Sequence, residues 1–102
     1  MDNNLIAQLS FYGFGEKEAK VYLTTLELSS SIASTIARRA EINRSTTYSI
    51  LEDLKRKWIV TEVTRDEIKY YSAISPDILF KKREEKYEKI KSGLPELLAI
   101  TN

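Results

Sequence analysis

From Ser31 to Val60 the chain reads SIASTIARRAEINRSTTYSILEDLKRKWIV, two helical hydrophobic patterns separated by a short polar break and followed by the start of a strand. Ile32, Ile36 and, across the break, Ile42 are apolar, while Ala33, Ala37 and Ala40 allow close backbone approach. The break itself, Ala40-Glu41-Ile42-Asn43, sets one apolar residue between two polar ones, as a tight helix–helix turn requires. Asn43 or Ser45 is placed to cap the second helix by accepting a backbone N–H bond. Thr47, Ile50, Leu51 and Leu54 then recur at helical spacing as an inward stripe. Arg44, Ser45, Thr46, Ser49, Asp53 and Arg56 occupy the other face. The pattern predicts a helix-turn-helix, whose second helix lies in the DNA major groove.

Upstream, Leu5 to Leu9 predicts a short helix stopped near Gly13 and Gly15. A longer helix follows from Glu16 to Leu28, with Glu16 and Glu18 in the first turn, where the helix dipole favours them. Its core-facing positions are Ala19, Tyr22, Leu23 and Leu26, and Ser29-Ser30-Ser31 is a turn and a natural cap for the next helix. Downstream, Ile59 to Thr64 has strand composition, Arg65-Asp66-Glu67 is turn-like, and Ile68 to Ala73 is a returning strand. Such a hairpin either rests on DNA, with Arg65 and Lys69 near phosphate, or merely covers the core; acidic Asp66 and Glu67 at its tip count against phosphate. Ser75-Pro76-Asp77 opens the last helix as cap, first position and first-turn acid. In that helix Phe80, Tyr87, Ile90, Leu94 and Leu97 fit one heptad frame, with Arg83 in the remaining core slot, and Gly93 and Pro95 should end or kink it near Ser92. So charged a helix with one apolar edge buries little on its own domain, which favours dimerisation over packing in cis. The expected architecture is mainly α with a small β-hairpin (α+β): a winged helix-turn-helix over residues 1–75 and a C-terminal dimerisation helix over 76–102.

Composition narrows the chemistry. The 102 residues contain no cysteine and no histidine, which removes disulfides, zinc-finger ligation and histidine acid–base catalysis. With no Gly-rich phosphate loop and no suggestively spaced carboxylate pair, no enzyme, metal or cofactor is expected. The absence of a long apolar run or signal-like start leaves cytoplasm as the expected location, without a membrane partner. Net charge is only +1, but residues 38–60 carry a surplus of three positive charges: Arg38, Arg39, Arg44, Lys55, Arg56 and Lys57 against Glu41, Glu52 and Asp53. That block coincides with the helix-turn-helix, and Lys and Arg supply most non-specific affinity for DNA.

In this order the motifs resemble the TrmB-like family of winged-helix transcriptional regulators. The matching residues are Gly13-Phe14-Gly15-Glu16-Lys17-Glu18-Ala19-Lys20-Val21-Tyr22-Leu23, then Ala33-Ser34-Thr35-Ile36-Ala37-Arg38-Arg39 with Ile42-Asn43-Arg44-Ser45-Thr46-Thr47-Tyr48-Ser49-Ile50-Leu51-Glu52-Asp53-Leu54, and finally Tyr70-Tyr71-Ser72-Ala73-Ile74-Ser75-Pro76. The resemblance covers about residues 5–80 and implies a DNA-binding transcription factor that dimerises. It places Arg44, Ser45, Thr46, Tyr48 and Ser49 on the DNA-facing part of the recognition helix, Thr46 and Ser49 toward bases and Arg44 and Ser45 toward phosphate or bases. Tyr48 either joins that contact or packs partly inside. Arg38 and Arg39 either reach DNA or face the C-terminal dipole of their helix. The family usually has Gly-Pro at Ser29-Ser30, glycine at Glu41, proline at Asn43 and glycine at Trp58; a tryptophan there would cover the edge of the core at a cost in strain of about 1 kcal/mol. The expected function is a homodimeric regulator bound to double-stranded DNA; the alternative is a winged helix used as a protein–protein adaptor.

Overall fold

The computed structural model describes residues 2–101, so the first and last residues of the two predicted segments lie outside it. Its elements run α1 (Asn3–Ser10), α2 (Glu16–Leu28), α3 (Ala33–Ala40), α4 (Arg44–Arg56), β1 (Val60–Arg65), β2 (Ile68–Ala73), α5 (Pro76–Ser92) and α6 (Leu94–Ile100). The strands pair antiparallel, Val60 opposite Ala73 and Arg65 opposite Ile68. Three helices and this hairpin enclose one core of Ala19, Val21, Tyr22, Ile36, Leu51, Leu54, Val60 and Tyr71, with Leu9, Phe14 and Leu79 closing its sides.

The middle of the core is α2, which touches α1, α3, α4 and β2. An amphipathic helix with one buried stripe was the expectation, but α2 also buries Val21, Thr24 and Thr25, while Leu23 and Leu26 are only half-buried. The Thr25 hydroxyl satisfies itself on the Val21 carbonyl at 2.7 Å, whereas the Thr24 hydroxyl finds no protein partner among the described residues. Tyr22, at the core centre, donates its hydroxyl to the Ile74 carbonyl at 2.7 Å. Burial, with the charge of Asp77 nearby, pushes that hydroxyl up to about 12.

Three helix ends share one geometry. After α1, the Phe14 N–H bonds the Leu9 carbonyl and Gly13 N–H that of Ser10; after α3, Ile42 bonds Ala37 and Glu41 bonds Arg38; after α4, Ile59 bonds Leu54 and Trp58 bonds Lys55. This is the Schellman pairing, in which one residue turns left-handed and the next drops an apolar side chain into the core. The left-handed residues are Gly13 (φ 90°), Glu41 (φ 58°) and Trp58 (φ 63°), so two of the three carry a Cβ where glycine is favoured. The tryptophan does not cover the core edge as expected: it is 73% exposed. Ser29 also has a positive φ, 67°, but its ψ of −66° and the 2.8 Å bond from the Ser30 N–H to the Leu28 carbonyl make it the centre of a γ-turn. Nor does Ser31 cap α3. Ile32 holds the N-cap position without a side-chain bond, and Ser31 instead pairs with Tyr71 as a strand bridge, by bonds of 3.0 and 2.7 Å.

At the other end of the chain, Pro76 opens α5 as expected, but the Ser75 hydroxyl bonds the Asp77 carboxylate and not a backbone N–H. As the Gly93 and Pro95 signals predict, α5 stops at Ser92, and α6 restarts beyond Gly93 with Pro95 in its first turn, so the segment 76–102 holds two helices. Leu79 is buried and Phe80 meets Tyr12 edge-on at 6.4 Å. Beyond these first turns, Tyr87, Ile90, Leu94, Leu97, Leu98 and Ile100 are all exposed. Arg83 does not stand free in the predicted seam. It lies against Gly13, where an added Cβ would come within 2.5 Å of its Nη2. No helix among the described residues is long and apolar enough to cross a membrane, and none of their acidic groups is arranged to hold a metal ion.

Candidate nucleic-acid interface

The start of α4 is fixed by Asn43, whose Oδ1 accepts the Thr46 N–H at 2.8 Å and the Ser45 hydroxyl at 3.2 Å. This is an N-cap bond, worth about 1 kcal/mol to a helix. With the cap set, the 3.6-residue period turns Thr47, Leu51 and Leu54 into the core and leaves Arg44, Ser45, Tyr48 and Ser49 outward. Thr46 is half-buried beside its cap. Short hydroxyl side chains and one arginine thus line the exposed N-terminal half of α4.

The hairpin folds over to meet this face. Its two-residue turn, Asp66-Glu67, has both φ angles positive, at 50° and 64°, as a type I′ hairpin turn requires. Arg65 is therefore a strand residue opposite Ile68, where the sequence suggested a turn residue. Between the hairpin, the first turn of α3 and the start of α4 lies an open groove lined by Ile32, Ala33, Ser34, Arg44, Ser45, Tyr48, Glu67, Ile68 and Lys69. Four of the predicted residues meet there: Arg44, Ser45, Tyr48 and Lys69. Ser49 lies one turn along α4, and Arg65 sits on the wing with its guanidinium 4.4 Å above the Tyr70 ring. Arg38 is exposed in the last turn of α3, at the end remote from the groove, and its neighbour Arg39 pairs with Glu27 at 2.9 Å.

Lys69 is held from two sides: its ammonium donates to the Tyr48 hydroxyl at 3.0 Å and lies 3.8 Å from Glu62. The hydrogen bond to Tyr48, then the charge of Glu62, raises its pKa above the ordinary lysine value. Sequence reasoning gave no site role to Glu62 or to the groove residues Ile32, Ser34 and Ile68. Strand alternation carried the signal for Glu62, since it lies two residues from buried Val60 and so on the same face.

The sequence matches the family model described as "Sugar-specific transcriptional regulator TrmB" over residues 9–77. It is 26% identical over 101 residues to the HTH-type sugar sensing transcriptional regulator TrmBL1 of Pyrococcus furiosus, an alignment covering 95% of this chain and 29% of that protein, so the chain spans less than a third of that relative's length. Among solved structures it resembles TrmBL2, an archaeal chromatin protein, with a TM-score of 0.85 at 17% identity over 95% of this chain and 39% of the other. A possible transcriptional regulator from Methanosarcina mazei Go1 gives a TM-score of 0.74 at 14% identity, over 93% and 86% of the two chains. At such identities the likeness speaks for the fold: a winged helix of the kind seen in transcriptional regulators.

Proposed function

We propose that this chain, which belongs to the TrmB family of transcriptional regulators, acts in the cytoplasm as a homodimer that reads double-stranded DNA with α4 in the major groove. The observation that carries the reading is the capped N-terminal half of α4, with Arg44, Ser45, Tyr48 and Ser49 exposed beside the wing. Thr46 and Ser49 face bases; Arg44 and Ser45 take bases or phosphate. Beside them Arg65 and Lys69 on the wing supply positive charge, with Arg38 farther off at the other end of α3, and α3 begins at the groove with no side chain capping its first N–H groups, an arrangement that suits a phosphate oxygen. The regulator class of the family, and not an enzyme's, agrees with this surface.

The second half of the proposal rests on the arm. Phe80, Tyr87, Ile90, Leu94 and Leu97 are each about half exposed or more, and a run of large apolar side chains on one edge is what a partner helix covers. Two copies joined there present two α4 helices to half-sites one or more turns apart, roughly 34 Å per turn. The test is binding to genomic fragments, the chain's own upstream region included, at low and moderate salt, beside Arg44→Ala/Thr46→Ala. Selection of one fragment by the wild type, with a salt slope of several charges, and its loss in a variant that still dimerises is the expected result. No affinity at low salt would overturn the DNA reading. Sedimentation of Tyr87→Glu tests the arm: the wild type should run as a dimer and the variant as a folded monomer, and an unchanged dimer refutes that interface.

A further inference from the structure

The hairpin face turned toward α4 sets Val60, Glu62 and Thr64 opposite Ala73, Tyr71 and Lys69. Next to the core this face is apolar, with Val60 and Tyr71 fully buried. Toward the tip it becomes a chain of charged and hydroxyl groups. The Tyr71 hydroxyl donates to Glu52 at 3.0 Å. Lys55 lies 3.1 Å from Glu52 and 3.0 Å from Glu62. Lys69, 3.8 Å from the same Glu62 oxygen, donates onward to Tyr48 at 3.0 Å and lies 5.5 Å from its ring centre. Two carboxylates thus balance two ammonium groups between the wing and the recognition helix. Glu62 is the least exposed charged member, with 18% of its side chain accessible, and it is the carboxylate both lysines share.

We propose that Glu62 is a positioning residue for DNA reading: it holds the wing against α4 through Lys55 and Lys69, and through Lys69 it sets the Tyr48 ring on the recognition face. The inference rests on α4 being the recognition helix. Without the Glu62 charge, Lys55 keeps Glu52, but Lys69 has no other paired carboxylate among the described residues. A half-exposed ammonium left with one hydroxyl swings to water, which frees Tyr48 and loosens the wing. The sign of the effect separates this from plain electrostatics. Removing a negative charge near phosphate tightens binding to every duplex alike. Losing the position of Tyr48 and the wing instead weakens the selected site relative to random DNA.

The variants are Glu62→Gln, nearly isosteric, Lys69→Met, and the pair together. In the free protein, amide exchange over residues 61–72 should speed by about tenfold in Glu62→Gln while α2 is unchanged, and the Tyr48 ring resonances should move. On DNA at fixed salt, the ratio of selected-site to random-duplex affinity should fall about tenfold in either single variant, a loss of about 1.4 kcal/mol, and no further in the double. Wing exchange and Tyr48 signals identical to wild type would overturn the proposal. So would tighter binding to all duplexes at an unchanged ratio, or single losses that add in the double. If the wild type binds no DNA, the recognition-helix reading fails and the DNA role of Glu62 with it, while the exchange data still decide whether Glu62 holds the wing.

Discussion

Replacing Trp58 by glycine and, separately, by alanine isolates the cost of a left-handed residue at the end of α4. The backbone there is pinned by two hydrogen bonds, Trp58 N–H to Lys55 at 3.0 Å and Ile59 N–H to Leu54 at 2.9 Å, with φ at 63°. An L side chain in that conformation crowds its Cβ against the following carbonyl oxygen and costs about 1–2 kcal/mol. Glycine avoids that crowding but loses more chain freedom on folding, about 0.5–1 kcal/mol relative to alanine. The glycine variant should therefore be the more stable by about 0.5–1 kcal/mol. Both variants discard the same indole, so whatever packing a 73% exposed tryptophan provides cancels in the comparison. At an ordinary helical position the order is the reverse. One kcal/mol moves Tm by about 4–8 °C in a domain of 60–100 residues, so circular dichroism melts at one protein concentration resolve it. Urea melts should shift in midpoint at equal slope. An alanine variant as stable as the glycine variant, or more so, would refute the strain argument.

The same comparison at Glu41, left-handed at φ 58° and exposed, should favour Glu41→Gly over Glu41→Ala by a similar margin in the same melts. Thr24→Val removes a buried hydroxyl that has no partner among the described residues and keeps the side-chain shape, so urea melts should show a gain of about 1 kcal/mol; a loss would mean that the hydroxyl is satisfied in solution. For Glu52, burial alone would raise the carboxyl, but hydrogen bonds from Lys55 and Tyr71, with the charges of Lys55 and Lys69, hold it below the ordinary value. A lowered carboxyl stabilises the fold above its unfolded value, roughly pH 4.3, and that contribution fades as pH falls through the folded value. Glu52→Gln should thus lose stability less steeply than wild type below about pH 4, and parallel curves would show that the carboxylate contributes nothing.

The helix-turn-helix was legible because its signals are local. Asn43, one of the two expected caps, caps α4; of the expected inward stripe Thr47, Leu51 and Leu54 are buried and Ile50 half-buried; and β2 spans the expected Ile68–Ala73. The misreadings are non-local. Ser31 has cap chemistry, but the strand bridge to Tyr71, forty residues on, claims its backbone. The stripe expected on α2, Ala19, Tyr22, Leu23 and Leu26, leaves out Thr24 and Thr25, yet α2 packs against α1, α3, α4 and β2 and its buried arc is wide enough to take both. Arg83 occupies a seam position by period, but it lies back on its own domain, where Gly13 leaves room for it that a Cβ would fill.

The left-handed helix ends show how tertiary burial overrides local preference. Glycine is the local signal for such an ending, and only α1 has it, at Gly13. At α3 and α4 the turn persists with Glu41 and Trp58, because the residue after each, Ile42 and Ile59, packs on the core. Each isoleucine is half-buried, so it contributes part of the roughly 1.5–3 kcal/mol of full burial, and with the two hydrogen bonds of the turn this offsets the strain of about 1–2 kcal/mol at the residue before it. The same reasoning applies to the wing. Its acidic turn, Asp66-Glu67, repels phosphate and puts a glutamate, though not the tolerant Asp66, in an unfavoured left-handed backbone, yet the register is set by Val60 and Tyr71 in the core and, one step outward, by Glu62 between its two lysines. Placement of the wing beside α4 thus depends on contacts at its base and not on the chemistry of its tip.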